Sequence, residues 1–221
     1  MLDADIAPSM TVQIYERLRA DLLDGLWPPG QKLPMHRLRQ HYAIGASPLR
    51  EALSRLVAEG LAVHNDQRGF AAASVSADEL EDILRNRVAL ESLALEQGLA
   101  RRSPQWEEAL LLAFHRLSRT PRSVDEDSYE ENPVWERQHR AFHFALLSAC
   151  GSPTLMGFCE QLYDRAYRYR QLAARKAYKR RNELDEHRAI FEAVMAGNLE
   201  AAKELLARHY ERTAALSGQQ G

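Results

Sequence analysis

The stretch SPLREALSRLVAEGLAVHNDQRGFAAA, residues 47–73, decides the fold of the N-terminal part of this chain. Its first half repeats apolar residues at helical spacing, so one helix face is apolar and the opposite face is polar. After Gly60 the pattern changes to two short strands, Leu61–His64 and Phe70–Ala73, joined by the loop Asn65–Gly69. The stretch therefore predicts a helix followed by a β-hairpin.

Two more helices are predicted before this stretch. Residues 10–26 carry apolar side chains at helical spacing, and the two prolines of Trp27–Gly30 end that helix. A short helix begins at Pro34, and we expect Gly45 to supply the unusual backbone angles of the turn that follows it. Three helices and a hairpin in this order predict a winged helix-turn-helix domain at residues 1–75.

After Ser76 the remaining periodic segments are helical. The intervening stretch of residues 120–132 is polar and acidic and is predicted to be a loop. The helices begin near Ser76, Ser103, Pro133, Pro153, Glu183 and Leu199. Six helices in residues 76–217 predict an antiparallel bundle, followed by a frayed tail at residues 218–221. The predicted fold class is therefore mainly α.

Composition and motifs exclude several classes of protein. The 221 residues are 45% hydrophobic and 27% charged, which is typical of a globular chain. No signal peptide and no run of ~18 apolar residues is recognisable, so we expect a cytoplasmic protein without a membrane partner. Cys150 and Cys159 form no CxxC pair and are interpreted as small core residues. An enzyme is not expected, because no HExxH-type motif supplies a general base beside candidate metal ligands.

Basic residues concentrate around the third helix although the net charge is −2. A helix fits the major groove of DNA, and its exposed face must offer donors to base edges and phosphates. The predicted DNA contacts are Arg37 and Arg39 on the second helix, Ser47, Arg50, Ser54 and Arg55 on the third, and Arg68 and Gly69 at the wing tip. The alternative is a small surface domain with scattered arginines.

Four of the eight histidines fall where one site could collect them. His139 and His143 are four residues apart, on one face of one helix. His187 and His209 lie at nearly equal distances on either side of the turn at Gly197-Asn198, so an antiparallel helix pair puts them side by side. Four imidazoles suit a divalent ion such as zinc or nickel. The alternative is a set of ordinary core or surface histidines.

Cationic residues near these histidines would attract an anion. Arg87 has Glu91 one turn later, and this spacing fits either an anion site or an ordinary intrahelical ion pair. Arg168 and Tyr169 lie on the helix after the one that carries His139 and His143. The basic run from Arg165 to Arg181, which contains no acid, is interpreted mostly as a solvated helix face and loop.

These motifs resemble the GntR superfamily of bacterial regulators, in the branch whose helical ligand-binding domain is called FCD. The N-terminal resemblance is carried by Pro29–Leu33, Pro48–Leu53, Glu59–Leu61 and Arg68–Phe70. The C-terminal resemblance is carried by Arg87 with Glu91, Phe142-His143, Glu186-His187, Ala201 and His209. Six helices point to the smaller, VanR-like form of the domain.

The resemblance implies a homodimer that binds a near-palindromic operator and responds when a metabolite, usually a carboxylate, enters the helical domain. Many members hold a divalent metal there through one Asp and three His. By resemblance the three histidines are His143, His187 and His209, and His139 stands at the Asp position. This departure makes the site less anionic and favours softer ions, or leaves a site that binds the acid without metal.

Two further features concern specificity. Gly45, Ala46 and Ser47 replace the Ser-Arg-Thr that is usual in the family, so Arg50 should carry more of the operator specificity. The phrases Tyr42–Gly45, His139–His143 and Cys150–Ser152 resemble the carbon-starvation-induced, glutarate-responsive members. That likeness implies a repressor whose effector is a C4–C6 dicarboxylate such as glutarate. Its carboxylates would be held by Arg87 and Arg168, beside Tyr169. The alternative is a metal-responsive regulator without an organic effector.

Overall fold

The computed structural model describes residues 10–125, 127–177 and 181–217, so the predicted tail at 218–221 lies outside the described residues. The chain divides into two compact units, Met1–Ser76 and Ala77–Gly221. Within the described ranges, no helix is both long enough and apolar enough to cross a membrane.

The N-terminal unit contains three helices and a two-stranded antiparallel hairpin. The elements are α1 (Met10–Leu23), α2 (Met35–Tyr42), α3 (Ala46–Ala58), β1 (Ala62–Asn65) and β2 (Gly69–Ala72). In the hairpin, Ala62 pairs with Ala72 and Asn65 pairs with Gly69. The apolar faces of the helices meet in a core that includes Leu18, Leu38, Leu49, Leu53 and Leu56, all fully buried. This is the predicted winged helix-turn-helix.

The segment before α2 pairs with strand β2 of the hairpin. Lys32 forms an isolated antiparallel bridge with Ala71, and the Leu33 amide donates to the Phe70 carbonyl at 2.8 Å. The pairing consists of a single bridge, which is too short to produce a strand pattern in the sequence around Lys32 and Pro34. The bridge ties the start of α2 to the wing.

The turn between α2 and α3 corrects one prediction. Gly45 adopts an ordinary extended conformation, and Ala43 instead takes the left-handed one, with φ 51° and ψ 45°. Tertiary contacts on either side impose this conformation. Tyr42 is buried, where its hydroxyl donates to Asp21 Oδ2 at 2.6 Å, and Ile44 packs against the core of the unit. The strain of a non-glycine residue in this region, about 1–2 kcal/mol, is offset by those contacts.

The C-terminal unit is a bundle of six α-helices, as predicted. The helices are α4 (Ala77–Leu99), α5 (Pro104–Arg119), α6 (Pro133–Leu147), α7 (Pro153–Ala177), α8 (Glu183–Met195) and α9 (Leu199–Ser217). Side chains cap several of their N-termini: Ser103 accepts from the Trp106 amide, and Asn132 accepts from the Val134 and Trp135 amides. Helix α4 packs against α7 and α9, α5 against α6, and α8 against α9. Three helices, α6, α8 and α9, carry the four histidines into the centre of this bundle.

Candidate functional site

The four predicted histidines form one buried cluster. His139 and His143 come from α6, His187 from α8 and His209 from α9, and none is more than 4% exposed. One ring nitrogen of each lies within 4.8 Å of the corresponding nitrogen of every other. The four side chains therefore converge on one point, as their spacing in the sequence predicts.

The distances between the ring nitrogens fit a first-row metal ion. His139 Nε2 lies 3.1 Å from His187 Nε2 and 3.2 Å from His143 Nε2. Zinc binds imidazole nitrogen at about 2.0–2.1 Å, which places neighbouring ligand atoms roughly 2.8–3.4 Å apart, from octahedral to tetrahedral geometry. The histidines therefore have the donor atoms and the spacing that a divalent ion needs.

Partners on the far side of three rings orient the inward nitrogens. His139 Nδ1 lies 2.8 Å from the Tyr163 hydroxyl, and His209 Nδ1 lies 2.8 Å from Glu186 Oε2. His143 Nδ1 is 3.4 Å from the hydroxyl of Tyr210. When Nδ1 carries the proton it donates outward to such an oxygen, and the Nε2 lone pair then points into the cluster.

Burial keeps these imidazoles neutral. Removal from water lowers the pKa of His209 to about 4, although the bonded Glu186 opposes that shift. Burial, together with the neighbouring histidines and arginines, lowers the pKa of His139 and His143 well below the usual range. The pKa of His187 is lowered in the same way, first by burial and then by His209 and Arg181. Neutral imidazole is the form that binds metal, so the cluster is ready for an ion at pH 7.

The predicted effector ligands occupy different environments. Arg87 is 2% exposed; its Nε donates to Glu91 Oε1 at 2.8 Å and its Nη2 to the Tyr210 hydroxyl at 2.7 Å. The Tyr210 hydroxyl in turn donates to Glu91 Oε2 at 2.5 Å. Tyr169 donates to Glu79 Oε2 at 2.6 Å, and the side chain of Arg168 lies outside the described residues. Arg87 thus supports the histidine cluster, and effector binding by these three residues stays a prediction.

A cavity of about 500 Å³ lies next to the histidine cluster in the same unit. Its polar and aromatic lining comprises Ser118, Arg119, Thr120, Arg122, Trp135, Arg170, Arg181, Asn182, Glu183, His187 and Thr213. His187 belongs to both the cavity wall and the cluster. The described lining residues include four arginines and one acid, and Glu136 and Glu186, outside the lining, pair with Arg170 and Arg181. The guanidinium groups of the wall favour an anionic ligand.

None of these four arginines was predicted to bind the effector. Arg170 lies in the basic run interpreted as a solvated face, and for this residue that interpretation is wrong, since it is 6% exposed. Its Nη2 donates to Glu136 Oε2 at 2.7 Å, while its Nε and Nη1 are buried without a hydrogen-bond partner in the described part of the chain. Arg122 lies in the loop before α6, with its guanidinium 4.8 Å from the centre of the Trp135 ring. No periodic pattern marks a loop arginine, so only the fold could find it.

The predicted DNA contacts are exposed on the N-terminal unit. Arg37, Arg39, Ser47, Arg50, Ser54, Arg68 and Gly69 all lie on the surface, on α2, α3 and the wing. Arg50 forms no ion pair with any described residue, whereas the Arg55 guanidinium stacks 3.8 Å from the centre of the Tyr15 ring. The Ser54 hydroxyl donates to the Arg50 carbonyl at 2.9 Å. The role of these residues in DNA binding stays a prediction, and Arg50 is the freest of the two arginines on α3.

Known proteins share both units. The family described as "Bacterial regulatory proteins, gntR family" matches residues 10–71, and the FCD domain matches residues 82–212. The HTH-type transcriptional repressor GlaR of Escherichia coli (strain K12) is 36% identical, over 88% of this chain and 90% of its own length. The uncharacterized HTH-type transcriptional regulator BphR of Paraburkholderia xenovorans (strain LB400) is 35% identical, over 96% of this chain and 87% of its own.

A solved structure shares the fold at lower sequence identity. E. coli McbR/YncC superposes with a TM-score of 0.76 at 23% identity, covering 96% of this chain and 99% of its own. The relatives and the two matched families are DNA-binding transcriptional regulators rather than enzymes. This chain therefore belongs to the GntR family of bacterial transcriptional regulators, in the branch that carries a C-terminal FCD domain.

Proposed function

We propose that this protein is a homodimeric repressor whose affinity for its operator is controlled by a small carboxylate bound in the C-terminal unit. The effector class is a C4–C6 dicarboxylate such as glutarate, held beside a divalent ion, zinc or nickel, on His139, His143, His187 and His209. The observation that carries the proposal is that His187 belongs both to the histidine cluster and to the wall of the arginine-lined cavity. The name of the relative GlaR supports repression as the sense of the regulation.

Charge balance favours an acid at this junction. Four neutral imidazoles leave both positive charges of a divalent ion uncompensated in a buried site. The nearest buried arginines are already balanced, Arg87 by Glu91 and Arg170 by Glu136. When bound, the ion would act as a Lewis acid that attracts a carboxylate oxygen. A carboxylate from the cavity supplies the missing negative charge.

The DNA side of the proposal rests on α3. Arg50 and Ser47 are exposed on this helix, and Arg68 is exposed at the wing tip. In the proposal, the first two contact base edges in the major groove and Arg68 enters the minor groove. Control of this binding requires that the carboxylate bind two states of the dimer with different affinity. Effector binding then shifts the dimer away from the state that has high affinity for the operator.

The test is operator binding measured with and without acid. An operator can be selected from a pool of random duplexes by the full-length, zinc-loaded protein, and its affinity followed by fluorescence anisotropy. We expect glutarate to weaken binding by about tenfold or more, as a coupling free energy of ~1.4 kcal/mol or more requires. Unchanged affinity with every short carboxylate would contradict the proposal.

Adding a chelator to the same assay distinguishes the alternative function, a regulator that responds to metal without an organic effector. The buried cluster of four neutral histidines is also what a regulator responsive to metal alone would need. Such a regulator would change its operator affinity when zinc is removed and restored, with no response to any acid. A response to glutarate in the zinc-loaded protein excludes it.

A further inference from the structure

We propose that Glu183 is a built-in competitor of the effector, and that its carboxylate occupies the two-arginine site to which the second carboxylate of a dicarboxylate binds. The site consists of Arg122 and Arg181. The inference rests on the proposed function, because it assigns the end of the cavity that lies away from the histidines.

The geometry is that of an anion held between two guanidinium groups. Glu183 forms an ion pair with Arg122, and its Oε1 lies 3.4 Å from Arg181 Nη1. All three residues line the cavity, and their side chains are 13%, 20% and 9% exposed respectively. Guanidinium groups bind carboxylates through paired, charge-assisted hydrogen bonds, whether the carboxylate is tethered or free. Glu183 therefore stands where a ligand carboxylate would.

Arg122 is the member of the pair that most needs a counter-charge. Burial lowers the pKa of Arg122 to about 10, and the nearby Arg170 and Arg181 lower it further. Stacking on Trp135 holds the group at the cavity wall. Removal of Glu183 without a replacement would leave the charge of Arg122 unbalanced. A ligand carboxylate that displaces Glu183 therefore forms the ion pair with Arg122 that Glu183 loses.

Glu183 itself can be displaced at low cost. Arg181 already forms a two-point pair with Glu186, with Nε to Oε1 at 2.9 Å and Nη2 to Oε2 at 2.5 Å. Glu183 is thus its second and longer contact. Glu183 is also the first residue of α8, directly after the capping residue Asn182, where the helix dipole favours a negative charge. The displaced carboxylate keeps that favourable position.

The distance between the two ends of the site selects the length of the ligand. Glu183 and His187 are four residues apart on α8, so their positions are separated by about 6 Å along the helix axis. A ligand with one carboxylate at the histidine cluster and the other at the arginines must span about one helical turn. Short aliphatic dicarboxylates match this span, and the apolar wall at Leu117, Ala174 and Leu184 faces their methylene groups. A monocarboxylate reaches only one end and leaves Glu183 in place.

Isothermal calorimetry on the zinc-loaded, full-length protein tests this arrangement with glutarate and with pentanoate, which has the same number of carbons and one carboxylate. Glu183→Gln keeps the size of the side chain and removes its charge. We expect glutarate to bind this variant about tenfold more tightly than the wild type, and pentanoate to change by less than about twofold. Glu192→Gln, an exposed position on the same helix, is the matched control and should change neither affinity.

A second variant tests the arginine end directly. Arg122→Gln should weaken glutarate about tenfold while pentanoate is unaffected, because only the second carboxylate uses this group. Equal glutarate affinity in Arg122→Gln and the wild type would overturn the assignment of the site. The melting temperature of each variant shows whether it is folded.

The outcomes also separate this inference from the proposed function. If the wild type binds glutarate and Glu183→Gln binds it no more tightly, Glu183 is not a competitor, while the proposed function stands. If only Glu183→Gln binds glutarate, the competitor is real and the wild type is not regulated by this acid. If neither protein binds glutarate, both ideas fail.

Discussion

Tyr210 joins the buried ion pair of α4 to the histidine cluster, and Tyr210→Phe removes one oxygen from the centre of this network. The hydroxyl accepts from Arg87 Nη2 at 2.7 Å, donates to Glu91 Oε2 at 2.5 Å and lies 3.4 Å from His143 Nδ1. Arg87 and Glu91 are each 2% exposed, so water cannot replace the missing contacts. Each of these two charged groups left short of a partner costs about 1–3 kcal/mol, so we expect the free energy of unfolding to fall by roughly 2–6 kcal/mol.

Urea unfolding of the metal-free protein, followed by circular dichroism, measures this loss. Tyr15→Phe is the control, because the Tyr15 hydroxyl donates to Glu59 Oε1 at 2.6 Å in a half-buried position that water can reach. That variant should lose only about 0.5–1.5 kcal/mol. If Tyr210→Phe loses no more than the control, the network does not stabilise the bundle as its geometry indicates.

The same variant should weaken metal binding. When the Tyr210 hydroxyl is removed, His143 Nδ1 loses the oxygen that lies beside it. The loss of such a partner of a metal-binding histidine lowers metal affinity by about 10–100-fold. Competition for zinc against a chromophoric chelator measures the change. Zinc affinity equal to that of the wild type would show that Tyr210 does not orient His143.

Three further predictions concern acid stability, a turn and DNA binding. The pKa of His209 is about 4 when folded and 6.5 when unfolded, so the unfolded chain binds more protons between these values. The metal-free protein should therefore lose stability as the pH falls from 6.5 towards 4, by about 3 kcal/mol from this residue alone. A pH series of urea melts checks this, and equal stability at both pH values would contradict it. Ala43→Gly should raise stability by about 0.5–1 kcal/mol, since it relieves the left-handed strain, and a lower melting temperature would refute this. Arg50→Ala should abolish specific operator binding in an anisotropy assay and leave glutarate affinity intact, whereas retained specific binding would exclude α3 as the reading helix.

Local pattern accounts for most of what could be predicted. The alternating helix and strand periods of residues 10–73 depend only on which side chains are apolar, so the helix order and hairpin follow without tertiary information. The histidine cluster was predictable for a similar reason. A four-residue spacing on α6 and a symmetric spacing about Gly197-Asn198 become proximity as soon as the helices form and pair.

Predictions failed where several elements act on one residue. Gly45 was expected to adopt the unusual backbone conformation because glycine does so easily, but the packing of Tyr42 and Ile44 imposes it two residues earlier, at Ala43. Arg170 looks like part of a solvated basic run, yet α7 turns it inward against Glu136 and the tyrosine rings. Arg122 lies in a loop where no periodicity exists, so its pairing with Glu183 could not be anticipated.

The amino-acid sequence by itself determined the two-part architecture, the exposed face of α3 and the two histidine pairs, because each depends on spacing along one helix or across one turn. The tertiary fold then brings the two pairs together. Tertiary structure alone decided how charge is distributed around that meeting point. Whether an arginine is balanced, as Arg87 is by Glu91, or shares its acid with a cavity, as Arg122 does with Glu183, depends on side chains far apart in the chain. Electrostatic interactions act through space and strengthen with burial, so only the packed bundle reveals which charges are available to a ligand.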